Sequence, residues 1–395
     1  MKVFQINTVY NTGSTGRIAA QIKHAVEANG GECITAYGRG FSEEKNTFKI
    51  GSKADMYIHA LMTRITDKTA FYSKKNTKRL IERIKEFAPD IIHLHNLHGY
   101  YVNVELLFDF FKEYDKPIVW TLHDCWTFTG HCPYYSAVAC EQWKEHCTRC
   151  PQKRKYPASM LLDNCKQNFE RKQKAFRGVS KMVFVTPSKW LEEEVKKSFL
   201  REYQVEVIPN GIDTTVFIPT TGDIRKRLNL EGKRIILAVA NEWSERKGLS
   251  DFFKVAEQLD EKYAIVMVGL DEKQINKLPS QIVGIQKTNN VQELAELYTE
   301  AQVFLNLTYE DNFPSVNLEA LACGTPVITY KTGGSPEALD DKTGICIEQG
   351  DIEGVIKAIE QSLVLRKEDC INRGHHFDSS KRYKEYLELY SAILQ

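Results

Sequence analysis

The residues of this 395-residue chain that could do chemistry fall in four loops and one cysteine cluster. The segment Asn241-Glu242-Trp243-Ser244-Glu245-Arg246-Lys247-Gly248 ends on two adjacent cations and a glycine. Cations at Arg246 and Lys247, where an apolar run gives way to a helix-like one, suit a diphosphate leaving group. A solvated charged turn would have the same composition. In the run Tyr309–Pro326, Glu319 lies among Leu318, Ala320, Leu321 and Ala322. A carboxylate in so apolar a stretch needs hydrogen-bond partners. Two sugar hydroxyls would supply them, and so would a neighbouring loop. Ahead of Glu319, the residues Glu310, Asp311, Asn312, Phe313, Pro314 and Ser315 form a loop. There Asn312 is expected to cap a helix, Pro314 to fill its first turn and Gly324 to end it. His123-Asp124 closes another apolar run and suits acid/base work or substrate hydrogen bonding. His93, His95 and His98 end the run before it, with no acidic ligand among them, so no metal is expected there. In the fourth loop, Asn11–Arg17, Gly13 and Gly16 would let backbone approach a phosphate at the start of a helix expected near Arg17. Its pattern is neither the dinucleotide fingerprint nor a Walker loop.

Of ten cysteines, Cys132, Cys140, Cys147 and Cys150 cluster in a loop expected over 130–151. Four thiols so close suit a closed tetrahedral structural zinc site, and C-x2-C is a common half of one. Two disulfides or four unlinked thiols are the competing readings. Cys33, Cys125, Cys165, Cys323, Cys346 and Cys370 read as small buried hydrophobes.

These loops need a scaffold, and the sequence supplies one. Short Val/Ile-rich runs alternate with helix-length segments: Val3–Asn7, Cys33–Tyr37, Ile91–His95, Pro117–Leu122, Met182–Thr186 and Val205–Pro209. A second series follows at Arg234–Ala240, Ala264–Gly269, Ile282–Gln286, Val303–Leu307, Val327–Tyr330 and Gly344–Ile347. Continuous apolar strands alternating with helices predict parallel sheets covered on both faces, here two doubly wound α/β domains. The expected division is 1–207, 208–375 and a terminal amphipathic helix over 376–395 packing back toward the first domain. Ligands of such sheets bind beyond the carboxyl ends of the strands, where all four loops fall.

Composition bounds the rest. Hydrophobic residues at 42% and charged residues at 27% exclude a disordered chain. No apolar run is long enough to span a bilayer. The chain opens directly on a strand-like segment, so a cytoplasmic location is expected. Residues 1–210 carry a net charge of +9 and residues 211–395 a net −8. Basic groups at Lys74, Lys75, Lys78, Arg79, Arg83 and Lys85, and again between Lys153 and Arg177, point to an anionic contact, expected at the inner membrane face. No nucleic-acid module accompanies them.

Taken together, the glycine loop, His123-Asp124, Val185-Thr186-Pro187-Ser188, Pro209-Asn210-Gly211-Ile212-Asp213, Arg246-Lys247-Gly248 and Pro314–Pro326 resemble the retaining glycosyltransferases of family 4. The resemblance runs almost end to end. It implies a GT-B fold, two Rossmann-like domains facing a central cleft. It also implies a UDP- or GDP-sugar donor bound mainly by the second domain, with transfer to a saccharide or lipid-linked saccharide in cell-surface polysaccharide synthesis. By the same resemblance Glu319 holds the ribose, Lys247 with Arg246 neutralises the pyrophosphate, Gly16 approaches the phosphate, His123 contacts the donor sugar, and Asp311–Pro314 hold its hydroxyls. No cofactor is implied for the chemistry. Two positions depart from the family. Its usual pair of glutamates seven residues apart begins here at Asp311 with Glu310 just before it, and its usual arginine five residues before the lysine is Glu242. Other enzymes that share the fold, an epimerase or a phosphorylase, and a non-catalytic nucleotide-sugar-binding subunit are the alternatives.

Overall fold

A computed structural model describes residues 1–395. The chain forms two compact units, Met1–Pro209 with Arg382–Gln395, and Asn210–Lys381.

The first unit is a seven-stranded, all-parallel sheet: β1 (Lys2–Val9), β2 (Glu32–Arg39), β3 (Thr47–Lys49), β4 (Ile91–Leu94), β5 (Ile118–Thr121), β6 (Met182–Thr186) and β7 (Gln204–Val207), in the order β3-β2-β1-β4-β5-β6-β7. Its helices are α1 (Gly13–Ala28), α2 (Lys53–Thr66), α3 (Lys74–Phe87), α4 (Val104–Glu113), α5 (Cys165–Phe176) and α6 (Lys189–Lys197). Strands β4, β5 and β6 are buried at every position, as continuous apolar runs require when helices cover both faces.

The second unit is a six-stranded parallel sheet: β8 (Arg234–Val239), β9 (Tyr263–Val268), β10 (Ile282–Ile285), β11 (Ala301–Asn306), β12 (Val327–Tyr330) and β13 (Gly344–Ile347), ordered β10-β9-β8-β11-β12-β13. It carries α7 (Ile224–Arg227), α8 (Leu249–Gln258), α9 (Glu272–Ile275), α10 (Val291–Glu300), α11 (Ser315–Ala322), α12 (Ile352–Gln361) and α13 (Lys367–His376). The last helix, α14 (Ser379–Leu394), contributes its residues from Arg382 on to the first unit. There it buries Tyr383, Tyr386 and Tyr390 with Val3, Ile91 and Val119.

In each sheet the strand order reverses once, between β1 and β4 in the first and between β8 and β11 in the second. Where it reverses, the connections leave in opposite directions and open a crevice at the carboxyl ends.

Three expectations need correcting. β3 was not predicted from the sequence; it is three half-buried residues with no apolar run to mark it. Helix α1 starts at Gly13 rather than Arg17, so the glycine loop is the helix's own first turn. Pro314, not Asn312, occupies the N-cap of α11, with extended backbone at φ −70° and ψ 119°. Asn312 lies buried in the loop before it.

Candidate active site

In the second unit, both chemistry-bearing loops leave strands that flank the reversal point. After β8 the chain makes a 3-10 turn over Glu245–Lys247 and then enters α8 through Gly248. After β11 it makes the loop 307–314. The two are laced together. The carbonyl of Arg246 accepts from the Tyr309 N–H at 2.8 Å and from Thr308 Oγ1 at 3.2 Å. The Arg246 guanidinium donates to the Glu310 carbonyl at 3.0 Å, and Lys247 Nζ meets Asp311 Oδ2 at 2.6 Å. Both partners of that ion pair are about one-fifth exposed. It therefore sits at the surface of the crevice rather than in the core. The neighbouring Glu310 is 2% exposed. Lys247 thus meets the Asp311 carboxylate, and the Glu310 carbonyl accepts from Arg246.

Glu319 lies in α11 and is 5% exposed. Its Oε2 accepts from Tyr298 of α10 at 3.0 Å, and its Oε1 accepts from Ser315, one turn earlier, at 3.2 Å. Burial without such donors would be costly, so these two bonds also fix the carboxylate's direction. Phe313 packs against Phe377 at 5.7 Å, and the Phe313 carbonyl accepts from Asn210 Nδ2 at 3.1 Å.

Sequence reading missed what supports these loops. Asp251, buried in the first turn of α8, accepts from Tyr309 and Tyr330 at 2.7 and 2.8 Å. Burial opposes its ionisation, but hydrogen bonds from Lys254 and the two tyrosines hold its pKa below the usual carboxylate range. Under α11, Asn317 bonds to Asn306 and Ser335, and Ser335 bonds to Thr329. Polar residues at strand ends carry no periodicity, so only their buried partners reveal them.

In the first unit, Gly16 lies within α1 beside β1. A Cβ there would come within 3.1–3.3 Å of Val9, Asn11 and Tyr10, so the tight return of the chain leaves little room for a side chain. His123 follows β5 and stacks on His95 at 5.3 Å. The network fixes its proton. Gln5 donates its amide nitrogen to the Ala19 carbonyl, so its Oε1 faces His95 Nε2 at 3.0 Å. His95 therefore carries its proton on Nε2 and accepts on Nδ1, and His123 Nε2, 3.0 Å away, is the donor. Burial outweighs the field of Asp124 and takes the His123 pKa down to about 4. His93 is likewise neutral, with burial lowering its pKa to about 3, and it bonds to Thr121 and to Tyr390 of α14. His98 pairs with Asp124 at 2.8 Å. Of these histidines, His95 and His123 are hydrogen-bonded to each other, while His93 packs against His95 at 4.2 Å.

Residues 17–216 match glycosyltransferase family 4, and residues 221–377 match the glycosyl transferases group 1 family. The chain belongs to glycosyltransferase family 4. It is a glycosyltransferase that uses a nucleotide sugar. A glycosyl transferase of Escherichia coli (strain K12) named for colanic acid biosynthesis, WcaC, is 24% identical over 374 residues, 89% of this chain and 88% of the relative. An N,N'-diacetylbacillosaminyl-diphospho-undecaprenol alpha-1,3-N-acetylgalactosaminyltransferase of Campylobacter jejuni is 23% identical over 241 residues, 56% of this chain and 62% of the relative. Among solved structures, the Anabaena protein HepE in complex with UDP superposes with a TM-score of 0.68 at 14% identity. That match covers 99% of this chain and 100% of HepE, and it places the chain in the GT-B fold.

Proposed function

We infer that this family 4 glycosyltransferase transfers a sugar with retention from a UDP- or GDP-sugar to a saccharide or lipid-linked saccharide in cell-surface polysaccharide synthesis. The observation that carries the reading is the Arg246–Lys247 turn, held at the strand-order reversal against the loop that contains Asp311. In this reading Lys247 turns from Asp311 to the donor diphosphate, and Asp311 is released to a sugar hydroxyl. Glu319 takes the ribose hydroxyls, Ser315 and the loop Asn312–Pro314 line the sugar, Gly16 lets backbone N–H groups reach the phosphate, and His123 contacts the sugar. A donor phosphate oxygen accepts the acceptor hydroxyl's proton on the face the diphosphate leaves. The acceptor oxygen bonds the anomeric carbon there as the old bond breaks. Lys247, Arg246 and helix N-termini stabilise the departing charge. The names of the colanic acid and undecaprenol relatives support the polysaccharide and lipid-linked parts of the reading. HepE's complex with UDP supports a uridine donor.

The test is a panel of nucleotide sugars read by thermal shift and then by product anomer. One donor at a hundred times its Kd should stabilise the folded state by about 2.7 kcal/mol. Glu319→Gln should lose most of that shift, because a neutral amide accepts weaker hydrogen bonds. A product anomer opposite to the donor's would exclude retention.

Membrane contact belongs to the same reading. No helix is long and apolar enough to cross a membrane. Helix α2, however, exposes Tyr57, Ile58 and Leu61 on one face, each more than half accessible. Beside its end, Met160 and Leu162 donate to the Arg64 and Ile65 carbonyls, which brings the exposed Met160, Leu161 and Leu162 alongside. Lys53, Arg64, Arg154 and Lys155 are exposed on the same two segments. Apolar side chains among cations suit an anionic lipid surface. The basic groups expected to serve from 166 to 177 fit less well. Lys172 is buried, and Arg171 and Arg177 are paired with Glu105 and Glu202. Cosedimentation with phosphatidylglycerol vesicles at low salt should be strong and should weaken in Leu61→Asp/Leu161→Asp. Equal binding by the double variant, or no binding by the wild type, would remove this surface from the reading.

A further inference from the structure

Between β5 and α5 the chain runs from Leu122 to Asn164 with only three short 3-10 turns. A connection this long with so little regular structure is uncommon in a compact domain and needs something to hold it. It nonetheless buries Trp126, Phe128, Tyr135 and Trp143. At its centre the fold gathers four thiols, and they are not the four that the spacing grouped. Cys132, Cys147 and Cys150 of the loop meet Cys165, the first residue of α5, and all four are buried. Cys132 contacts Cys150, Cys150 contacts Cys165, and Cys165 contacts Cys147 through their side chains. Cys140 stays half-buried outside the set.

Two further features face these sulfurs. The Gly130 N–H donates to Cys147 Sγ at 3.2 Å, and a Cβ at Gly130 would lie 2.6 Å from Cys165 Sγ, so the backbone presses directly on the cluster. Lys172, two turns along α5, is buried. Its ammonium donates to the Trp126 carbonyl and lies 3.8 Å from the centre of that indole ring. Cys132, Cys147 and Cys165 are its electrostatic neighbours, together with Asp124.

We propose that Cys132, Cys147, Cys150 and Cys165 are the four ligands of a structural zinc ion that staples the loop beside His123. Binding converts four S–H groups to thiolates and releases four protons to solvent, with no change of oxidation state. As placed, the side chains pack thiol to thiol rather than as a ready coordination group, so the sulfurs turn toward the ion as their protons leave. Disulfides fit less well. Cys150 and Cys165 each contact two partners, which singles out no exclusive pairing, and no oxidant is supplied. The site lies outside the chemistry but bears on it. Tyr156, in the same loop, contacts His98 Nδ1 at 3.0 Å, and His98 holds Asp124 next to His123.

The deciding measurement is metal content of full-length protein purified under reducing conditions without chelator. Close to one zinc per chain is expected. Cys140→Ala should keep the metal, and Cys165→Ala should lose it. If Cys165→Ala does not fold, wild-type protein exchanged with cobalt(II) should show the d–d and sulfur-to-metal charge-transfer bands of a tetrahedral thiolate site. Zinc below about 0.2 per chain, loss of zinc in Cys140→Ala, or an intact mass short of two hydrogens per cysteine pair would each overturn the assignment.

Discussion

Lys247→Ala should slow turnover by ~10²-fold or more, about 2.7 kcal/mol of transition-state stabilisation, while leaving the protein folded. The two halves of this expectation rest on different observations. The ammonium stands in a crevice at the carboxyl ends of β8 and β11, where charge would develop on a departing diphosphate. Loss of a stabiliser placed for developing charge shows in turnover more than in binding. In the resting protein, by contrast, Lys247 answers only Asp311 at 2.6 Å, with both side chains about one-fifth exposed. Solvent-accessible ion pairs of that kind contribute roughly 0–1 kcal/mol, so Tm should move little. Steady-state kinetics beside a thermal melt separates the outcomes. A variant that melts like the wild type and keeps turnover within about threefold, well short of the loss of one stabiliser, would falsify the role assigned to Lys247. Asp311→Ala makes the complementary point. If Asp311 only parks Lys247, activity should hold. If it takes a sugar hydroxyl, turnover should fall with Lys247 still in place.

The sequence made the sheets legible for a physical reason. Strands covered on both faces must be apolar at consecutive positions, so β1, β5, β6, β8, β11 and β12 announce themselves. β3 does not, because three half-buried residues leave no pattern. The site residues were legible where chemistry constrains a short run, as at Arg246-Lys247 and Glu319. They were illegible where a partner arrives from far along the chain. Cys165 reads as one more buried thiol until α5 brings it to Cys150. Gln5 reads as a polar slip in an apolar strand until its amide proves to set the proton of His95, and through it that of His123. That Lys247 meets Asp311 was likewise illegible, because it depends on how the loop turns. The exposed face of α2 was missed because an amphipathic helix looks alike in sequence whether its apolar face is buried or exposed.

The largest structural effect should come from a residue with no side chain. Gly248 joins the Arg246–Lys247 turn to α8 at φ +76°, in the left-handed region. A Cβ there would lie 2.1 Å from the Leu307 carbonyl oxygen and 3.0 Å from the Leu307 carbonyl carbon. That oxygen is backbone at the end of β11 and cannot swing aside, so the turn itself must move. Gly248→Ala should therefore cost on the order of 3 kcal/mol, combining a left-handed alanine with a backbone displacement. At ~2–4 °C per kcal/mol for a unit of this size, a clear drop in Tm should follow. Activity measured well below that Tm should fall as well, because the turn that shifts carries both cations and is fastened to Tyr309 through the Arg246 carbonyl. Gly232 provides the control. Its φ is +78°, in the same region, but nothing lies within 4 Å of its would-be Cβ. Gly232→Ala should pay only the conformational penalty of ~1–2 kcal/mol and keep full turnover. The difference between the two variants measures the close approach of the β8 turn to β11. Equal losses in Tm with turnover intact in both would mean that this contact does not position Arg246 and Lys247.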